Sequence, residues 1–299
     1  MRIAIAGSSG LIGSALVESL TGAGHQVIRL VRQPSTAPNQ IHWAPDSFGI
    51  DPKALDGVDA VVNLCGRGIA DHRWSGRVKQ EIRDSRIIPT QVLAESVRLA
   101  GVPIFVSSSA TGFYGDTGSR AVTEKDAAGT GFLADLTTDW EAAALTAAAS
   151  GSSTRIALIR TAPVLSQSGG LLGKLRPLYR LGLGGRLGNG RQYFPWISLF
   201  DAVRVLEFVL TRPLAGPVNM CGPRAVTNTE FTKAFGRAVG RPTVFAVPGV
   251  VLSKAVGEMA EEMLLQGQNV VPEVLIDNGF EFRHPTLDSA LAYALGKAS

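Results

Sequence analysis

A doubly wound α/β fold built on a parallel sheet is predicted by three features of the chain. Short apolar runs alternate with helical stretches through the first half, and the runs are apolar on both faces. The first run also breaks into spaced glycines just before a helix. Arg2–Ala6 reads as the first strand, and Leu11–Thr21, with its apolar positions at helical spacing, reads as the first helix. His25–Val31 is a second strand, Asp59–Cys65 another, and Ile104–Ser109 the next. Between the last two, Val78–Leu99 repeats apolar residues at helical spacing (Ile82, Ile87, Val92, Val97). Trp140–Ala149 is alanine-rich and helical, and Arg155–Arg160 returns to strand. After Pro163 the rhythm changes. Glycine clusters at 169–170, 181–185 and 188–190 mark loops, and shorter mixed elements follow. The expected division is therefore residues 1–162 as the sheet domain and 163–299 as a smaller mixed lobe, with 200–215 returning to the sheet.

The glycines at the end of the first strand carry the chemistry. Gly7-Ser8-Ser9-Gly10-Leu11-Ile12-Gly13 spaces three glycines three residues apart between a strand and a helix, a Rossmann-type arrangement that suits a dinucleotide diphosphate. Gly7 permits the tight turn, Gly10 lets backbone N–H groups approach phosphate, and Gly13 lets the helix pack against the strand. The loop as a whole, Gly7, Ser9, Gly10, Leu11, Ile12 and Gly13, is the expected cofactor cradle. The second strand ends Leu30-Val31-Arg32-Gln33, without a carboxylate to take a ribose 2′-hydroxyl. A guanidinium there matches the extra phosphate of NADP by charge and fork geometry, so Arg32 favours NADP(H).

Composition excludes several classes. A chain of 299 residues with 45% hydrophobic and 18% charged residues is globular with a sizeable core. A net charge of +4, spread along the chain, is too small to argue for nucleic acid. Two cysteines suggest no disulfide framework, and the four histidines lack metal-ligand spacing, so no metal site is expected. The N-terminus lacks a clear small-residue cleavage site, and the best apolar run, Val247–Val256, is interrupted by Pro248, Gly249 and Lys254. A cytoplasmic protein with no membrane partner is expected.

With the glycine loop, Asn63-Leu64-Cys65-Gly66 and Ser107-Ser108-Ser109-Ala110-Thr111-Gly112-Phe113-Tyr114-Gly115 in place, the chain resembles the extended short-chain dehydrogenase/reductases. The likeness is greatest to the epimerase-family branch that carries a C-terminal domain of unknown function, through Arg73-Trp74, Ser85-Arg86, Trp140-Glu141, Phe194-Pro195-Trp196-Ile197 and Val270-Val271-Pro272. The resemblance implies that Leu64, Cys65 and Gly66 lie against the cofactor, with Glu81 and Arg86 facing it from the following helix. It makes Ser109 the serine that would orient the reacting oxygen, and it makes a homodimer possible.

The family's Tyr-x-x-x-Lys pair is absent: its register falls on Leu133 and Thr137. Such a pair shares one helix face, and the lysine lowers the tyrosine's pKa for proton exchange. With neither residue present, Tyr114, a bound water or the substrate is left to supply the proton. Tyr293 and Lys297 have the right spacing but follow no serine strand. Lys174, Arg176, Arg180, Arg186 and Arg191 lie in a stretch free of acids. Arg186 and Arg191 in particular, set among glycines, are expected to hold a small anionic or sugar-like substrate. Two activities stay open: an NADP(H)-dependent oxidoreductase or epimerase, and a protein that senses NADP(H) without turnover.

Overall fold

The computed structural model describes residues 1–149 and 151–297. Seven strands form the central sheet: β1 (Arg2–Ala6), β2 (Gln26–Val31), β3 (Gln40–His42), β4 (Ala60–Asn63), β5 (Ile104–Ala110), β6 (Arg155–Thr161) and β7 (Gly216–Met220). Their order is β7-β6-β5-β4-β1-β2-β3, and every pairing is parallel. The order reverses beside β1, so the crevice outside its carboxyl end is where such sheets hold ligands.

The two-residue period of the strands sorts the core. Ile3, Ile5, Val62 and Ile159 face one way, against α1 (Leu11–Gly22) and α5 (Leu199–Thr211). Ala4, Ala6, Val61 and Phe105 face the other way, against α2 (Gly76–Ala100) and α3 (Phe132–Leu145). Both faces are covered, which is why these strands read as continuous apolar runs.

The sheet layer takes in part of the second half of the chain: α5 packs on α1, and β7 hydrogen-bonds to β6 at the sheet edge. Neither β3 nor β7 is among the strands the sequence leads one to expect. Pro217 lies inside β7, and proline is tolerated there because an edge strand has one unpaired side. The smaller lobe packs α4 (Gly170–Arg180), α6 (Asn228–Val239) and Leu287–Ala294 around Leu172, Trp196, Phe231 and Phe235. Two-stranded ladders stitch it together, among them Gly185–Leu187 with Phe245–Val247 and Ala121–Val122 with Asn269–Val270.

α3 starts eight residues before the expected Trp140. Its first turn is held by a residue 130 positions away, a contact no local pattern reports.

Candidate functional site

The glycine loop is built as tightly as its spacing implies. Gly7 has φ +75°, and a Cβ there would fall 2.4 Å from the Leu64 carbonyl oxygen. A Cβ on Gly13 would fall 2.2 Å from the Gly7 carbonyl, so the helix lies against the turn it leaves. Gly10 is different: a Cβ there would meet only the Gly7 carbonyl oxygen, at an ordinary contact distance of 3.4 Å, its N–H donates to Gly7 O at 3.0 Å, and it is the N-cap of α1. No side chain caps that helix, so its first-turn N–H groups are without a side-chain partner among the described residues. Arg29 on β2 braces the loop from behind, its Nε donating to Ser8 Oγ at 3.2 Å and its Nη2 to Ser8 O at 3.3 Å. Ser9 and Gly10 are exposed at the tip, and Arg32 is exposed at the end of β2. A Cβ on Gly170 would lie 3.3 Å from the Leu11 side chain, so α4 starts beside the loop.

Asn63 shapes the turn after β4. Its Nδ2 donates to Thr90 Oγ1 (2.7 Å) and Ser107 Oγ (3.2 Å), and its Oδ1 accepts from Cys65 N (3.1 Å). This holds Leu64, Cys65 and Gly66 at the cavity wall. Burial pushes the Cys65 thiol up to about 12, so it stays protonated and is no nucleophile.

Beneath Gly66 lies the Arg86 guanidinium, 5.3 Å from the Trp140 ring. Its Nη1 donates to Ile82 O and its Nη2 to Arg67 O. Burial, then the nearby Arg67, lowers its pKa to about 10. No carboxylate pairs with it among the described residues, an uncommon state for a half-buried cation on a cavity wall. Glu81, expected on the same face, is turned away: its carboxylate pairs with Arg67 and Arg77 and does not line the cavity.

Ser109 lies on the cavity wall, with its proton committed elsewhere. Its hydroxyl donates to Glu141 Oε1 at 2.6 Å. Glu141 in turn receives Arg160 Nε at 2.8 Å and Nη2 at 2.9 Å, and both charges are buried. What Ser109 presents to the cavity is acceptor lone pairs, whereas the adjacent Ser108 lines the cavity with a hydroxyl that has no hydrogen-bond partner among the described residues.

Tyr114 is not on the cavity wall. Its hydroxyl donates to Asn219 Oδ1 (2.7 Å) and accepts from Arg160 Nη1 (2.9 Å), and burial pushes its pKa up to about 12. Its proton is engaged by Asn219, and the hydroxyl stands off the cavity in this arrangement. Glu141, Arg160 and Asn219 were missed in the sequence reading. The available signal was Arg160, a charge inside an otherwise apolar strand.

The cavity, about 360 Å³, lies between the carboxyl ends of β4, β5 and β6 on one side and Phe194, Glu262 and Gln266 on the other. Leu133 and Thr137 line it, so the positions of the missing tyrosine and lysine do face the cleft. Thr137 turns its hydroxyl back onto Leu133 O at 2.8 Å. At this end Glu262 enters from the C-terminal segment, its two oxygens accepting Phe132 N–H and Leu133 N–H, each at 2.8 Å. Gln266 and Gln268 line the same wall.

Arg186 and Arg191 are not brought to the cleft. Both are exposed, because the ladder between Gly185–Leu187 and Phe245–Val247 holds their loop on the outside of the smaller lobe. Lys174 is engaged with Asp71 Oδ1 (2.7 Å) and Ala70 O (2.8 Å). Tyr293 stacks on His284 at 4.6 Å, away from the serine strand. Among the described residues no His/Cys/Asp/Glu group could hold a metal, and no helix is long and apolar enough to cross a membrane.

Comparison with known proteins gives a consistent picture. Residues 3–221 match the model of the NAD dependent epimerase/dehydratase family, and residues 247–294 match a domain of unknown function, DUF1731. Epimerase family protein Mb2239 of Mycobacterium bovis is 55% identical over 293 residues, 98% of this chain and 97% of that one. The crystal structure of human epimerase family protein SDR39U1 with NADPH superposes with a TM-score of 0.90 at 33% identity, covering 100% of both chains. A nucleoside-diphosphate sugar epimerase from Corynebacterium glutamicum superposes at 0.82 and 33% identity, over 99% of this chain and 58% of that one.

Proposed function

The chain belongs to the NAD-dependent epimerase/dehydratase family, and from that premise we propose that it binds NADP(H) and acts as an oxidoreductase or epimerase on a hydroxyl or carbonyl group of a small, sugar-like substrate. The observation that carries this reading is the uncapped N-terminus of α1, opening behind three glycines next to a cavity lined by Ser108 and Ser109. A Cβ on Gly7 would strike the Leu64 carbonyl and one on Gly13 the Gly7 carbonyl, so these two glycines let the turn and α1 pack closely enough to present the open N-terminus of the helix. The first-turn N–H groups of α1 would receive the diphosphate, and Arg32 the 2′-phosphate. Leu64, Cys65, Gly66 and Arg86 would line the inner half. The NADPH bound to the human relative supports the nucleotide choice.

When bound, the nicotinamide supplies a hydride donor or acceptor. The chain's own part is binding and orientation. Ser109, anchored on Glu141, would accept a hydrogen bond from a substrate hydroxyl, and Ser108 would donate one to a carbonyl oxygen. Glu141 and Arg160 hold Ser109 in place without reaching the cavity themselves.

The second reading, an NADP(H)-sensing protein without turnover, is favoured by one observation: Leu133 and Thr137 stand where a proton relay would face the cleft. Single-turnover oxidation of bound NADPH across a panel of carbonyl compounds separates the two. Decay of nicotinamide absorbance that is lost in Ser108→Ala or Ser109→Ala supports the enzyme. Absence of decay with every compound favours the sensor.

A further inference from the structure

We propose that the outer face of the smaller lobe docks on a bilayer containing anionic phospholipid, resting on one leaflet without crossing it. The face is separate from the cofactor cleft, and none of the apolar residues that build it lines the cavity. The sequence argued against a membrane partner because no apolar run can span a bilayer, but contact with one leaflet needs no such run.

Two segments far apart in the chain, 180–187 and 241–256, are tied into this face. Gly185–Leu187 pair with Phe245–Val247, Gly188 N donates to Val247 O at 2.9 Å, and Arg241 Nε donates to Arg180 O at 2.9 Å. Gly185 permits the approach, since a Cβ there would fall 2.4 Å from the Phe245 carbonyl oxygen. Only Pro248 separates the strand Phe245–Val247 from the helix Gly249–Val256. That helix is mostly apolar, yet it buries none of its residues. Leu181 is 74% exposed, Val244 79% and Val250 69%, and Leu183, Phe245 and Val251 are exposed beside them in the chain. Single exposed apolar side chains are ordinary. Six on segments joined by one ladder mark an interaction surface.

Charge selects the partner. Residues 169–200 and 231–257 contain no Asp or Glu. Within them Arg180, Arg186, Arg241 and Lys254 are exposed, and none has an ion-pair partner among the described residues. Apolar side chains interleaved with unpaired cations suit the boundary of an anionic bilayer: the apolar groups enter the acyl edge and the cations meet lipid phosphates. Long basic side chains also keep their charge at head-group level while their stems lie along apolar surface. A second copy of the chain fits less well, because a two-fold contact through this face would set the cations against themselves. A nucleic acid would use the cations and leave the six apolar side chains in water.

The test is co-sedimentation of the full-length protein with vesicles of phosphatidylcholine alone and of phosphatidylcholine mixed with phosphatidylglycerol. The wild type is expected to sediment with the mixed vesicles and not with phosphatidylcholine alone, and to be released by salt. The Arg180→Gln/Arg241→Gln/Lys254→Gln variant should bind the mixed vesicles about 100-fold more weakly. Leu181→Ser/Val244→Ser/Phe245→Ser should weaken binding by at least about tenfold. Both variants should keep wild-type urea midpoints, because the altered side chains are exposed. A Val244→Trp variant should show a blue shift of its added fluorescence on the mixed vesicles alone. The proposal is overturned if the wild type stays in the supernatant, if it binds both kinds of vesicle equally, or if either triple variant binds as the wild type does. A lipid-free dimer in sedimentation velocity that the serine variant dissolves would assign the face to a second copy and overturn it too. So would tighter binding to duplex DNA than to the mixed vesicles, lost in the charge variant alone.

Discussion

Two helix N-termini flank the cleft, and the chain treats them in opposite ways. The start of α1 has a glycine N-cap and no side-chain partner for its first-turn N–H groups, whereas the start of α3 has both of its leading N–H groups taken by Glu262. An unsatisfied helix N-terminus is a site for an anion, and one satisfied by a resident carboxylate is closed to it. The difference teaches how one sheet end is divided. The α1 end is left open for phosphate. The α3 end is instead locked to the C-terminal segment.

Closing the open end should give the largest effect. Gly13→Val drives a side chain into the Gly7 carbonyl, so a loss of more than about 4 kcal/mol in urea unfolding is expected, together with loss of NADPH binding. Normal stability would mean that α1 can move away from the turn, and the cradle would need redrawing.

Next comes the buried support between the two ends. Glu141→Ala leaves Arg160 buried without its carboxylate, and about 3 kcal/mol of stability should be lost. Glu141→Gln, which keeps an acceptor for Ser109, should lose less. Equal losses in the two variants would show that charge pairing, not the hydrogen bond to Ser109, dominates.

Arg32→Asp sharpens the open end further. NADPH affinity should fall by about 10-fold to 100-fold and NADH affinity far less, measured by fluorescence titration. Equal weakening of both nucleotides would remove Arg32 from the 2′-phosphate.

At the closed end, Glu262→Ala strips α3 of its cap and should cost about 1 kcal/mol, read as a lowered urea midpoint. If NADPH affinity changed as well, the two ends would be coupled through the cleft.

The smallest effect is a pH dependence. Burial pushes the Glu124 carboxyl above its ordinary value of 4.5, against the hydrogen bond from Asn219 N. Its contribution to stability is fully present below that ordinary value and is lost as pH rises through the folded one. Glu124→Gln should flatten this decline in a series of urea melts, and an unchanged profile would assign the decline to other groups.

Much of the framework was legible from local pattern. The strands at Arg2–Ala6, Ile104–Ser109 and Arg155–Arg160 were readable because a strand covered on both faces is apolar throughout. β3, three half-buried residues long, and β7, with Pro217 at the sheet edge, carry too little of that signal. The resemblance sets Arg86 and Glu81 on one side of α2, yet a five-residue offset turns Glu81 to another face, among Arg67 and Arg77, while Arg86 lines the cavity.

What the sequence by itself determined is the part dictated by backbone geometry over a few residues: the spaced glycines, the helix that follows them, and an arginine at the end of β2. Steric exclusion of a Cβ and helix periodicity act locally, so spacing records them. Only the tertiary structure decided which side chains are free. It tied Ser109 to Glu141 across 32 residues, Tyr114 to Asn219 across 105, and Glu262 to α3 across 130. It also carried Arg186 and Arg191 to an outer surface. A hydroxyl or a cation has the same chemistry wherever it stands in a sequence, and whether it can meet a ligand depends on which partner the fold has already given it.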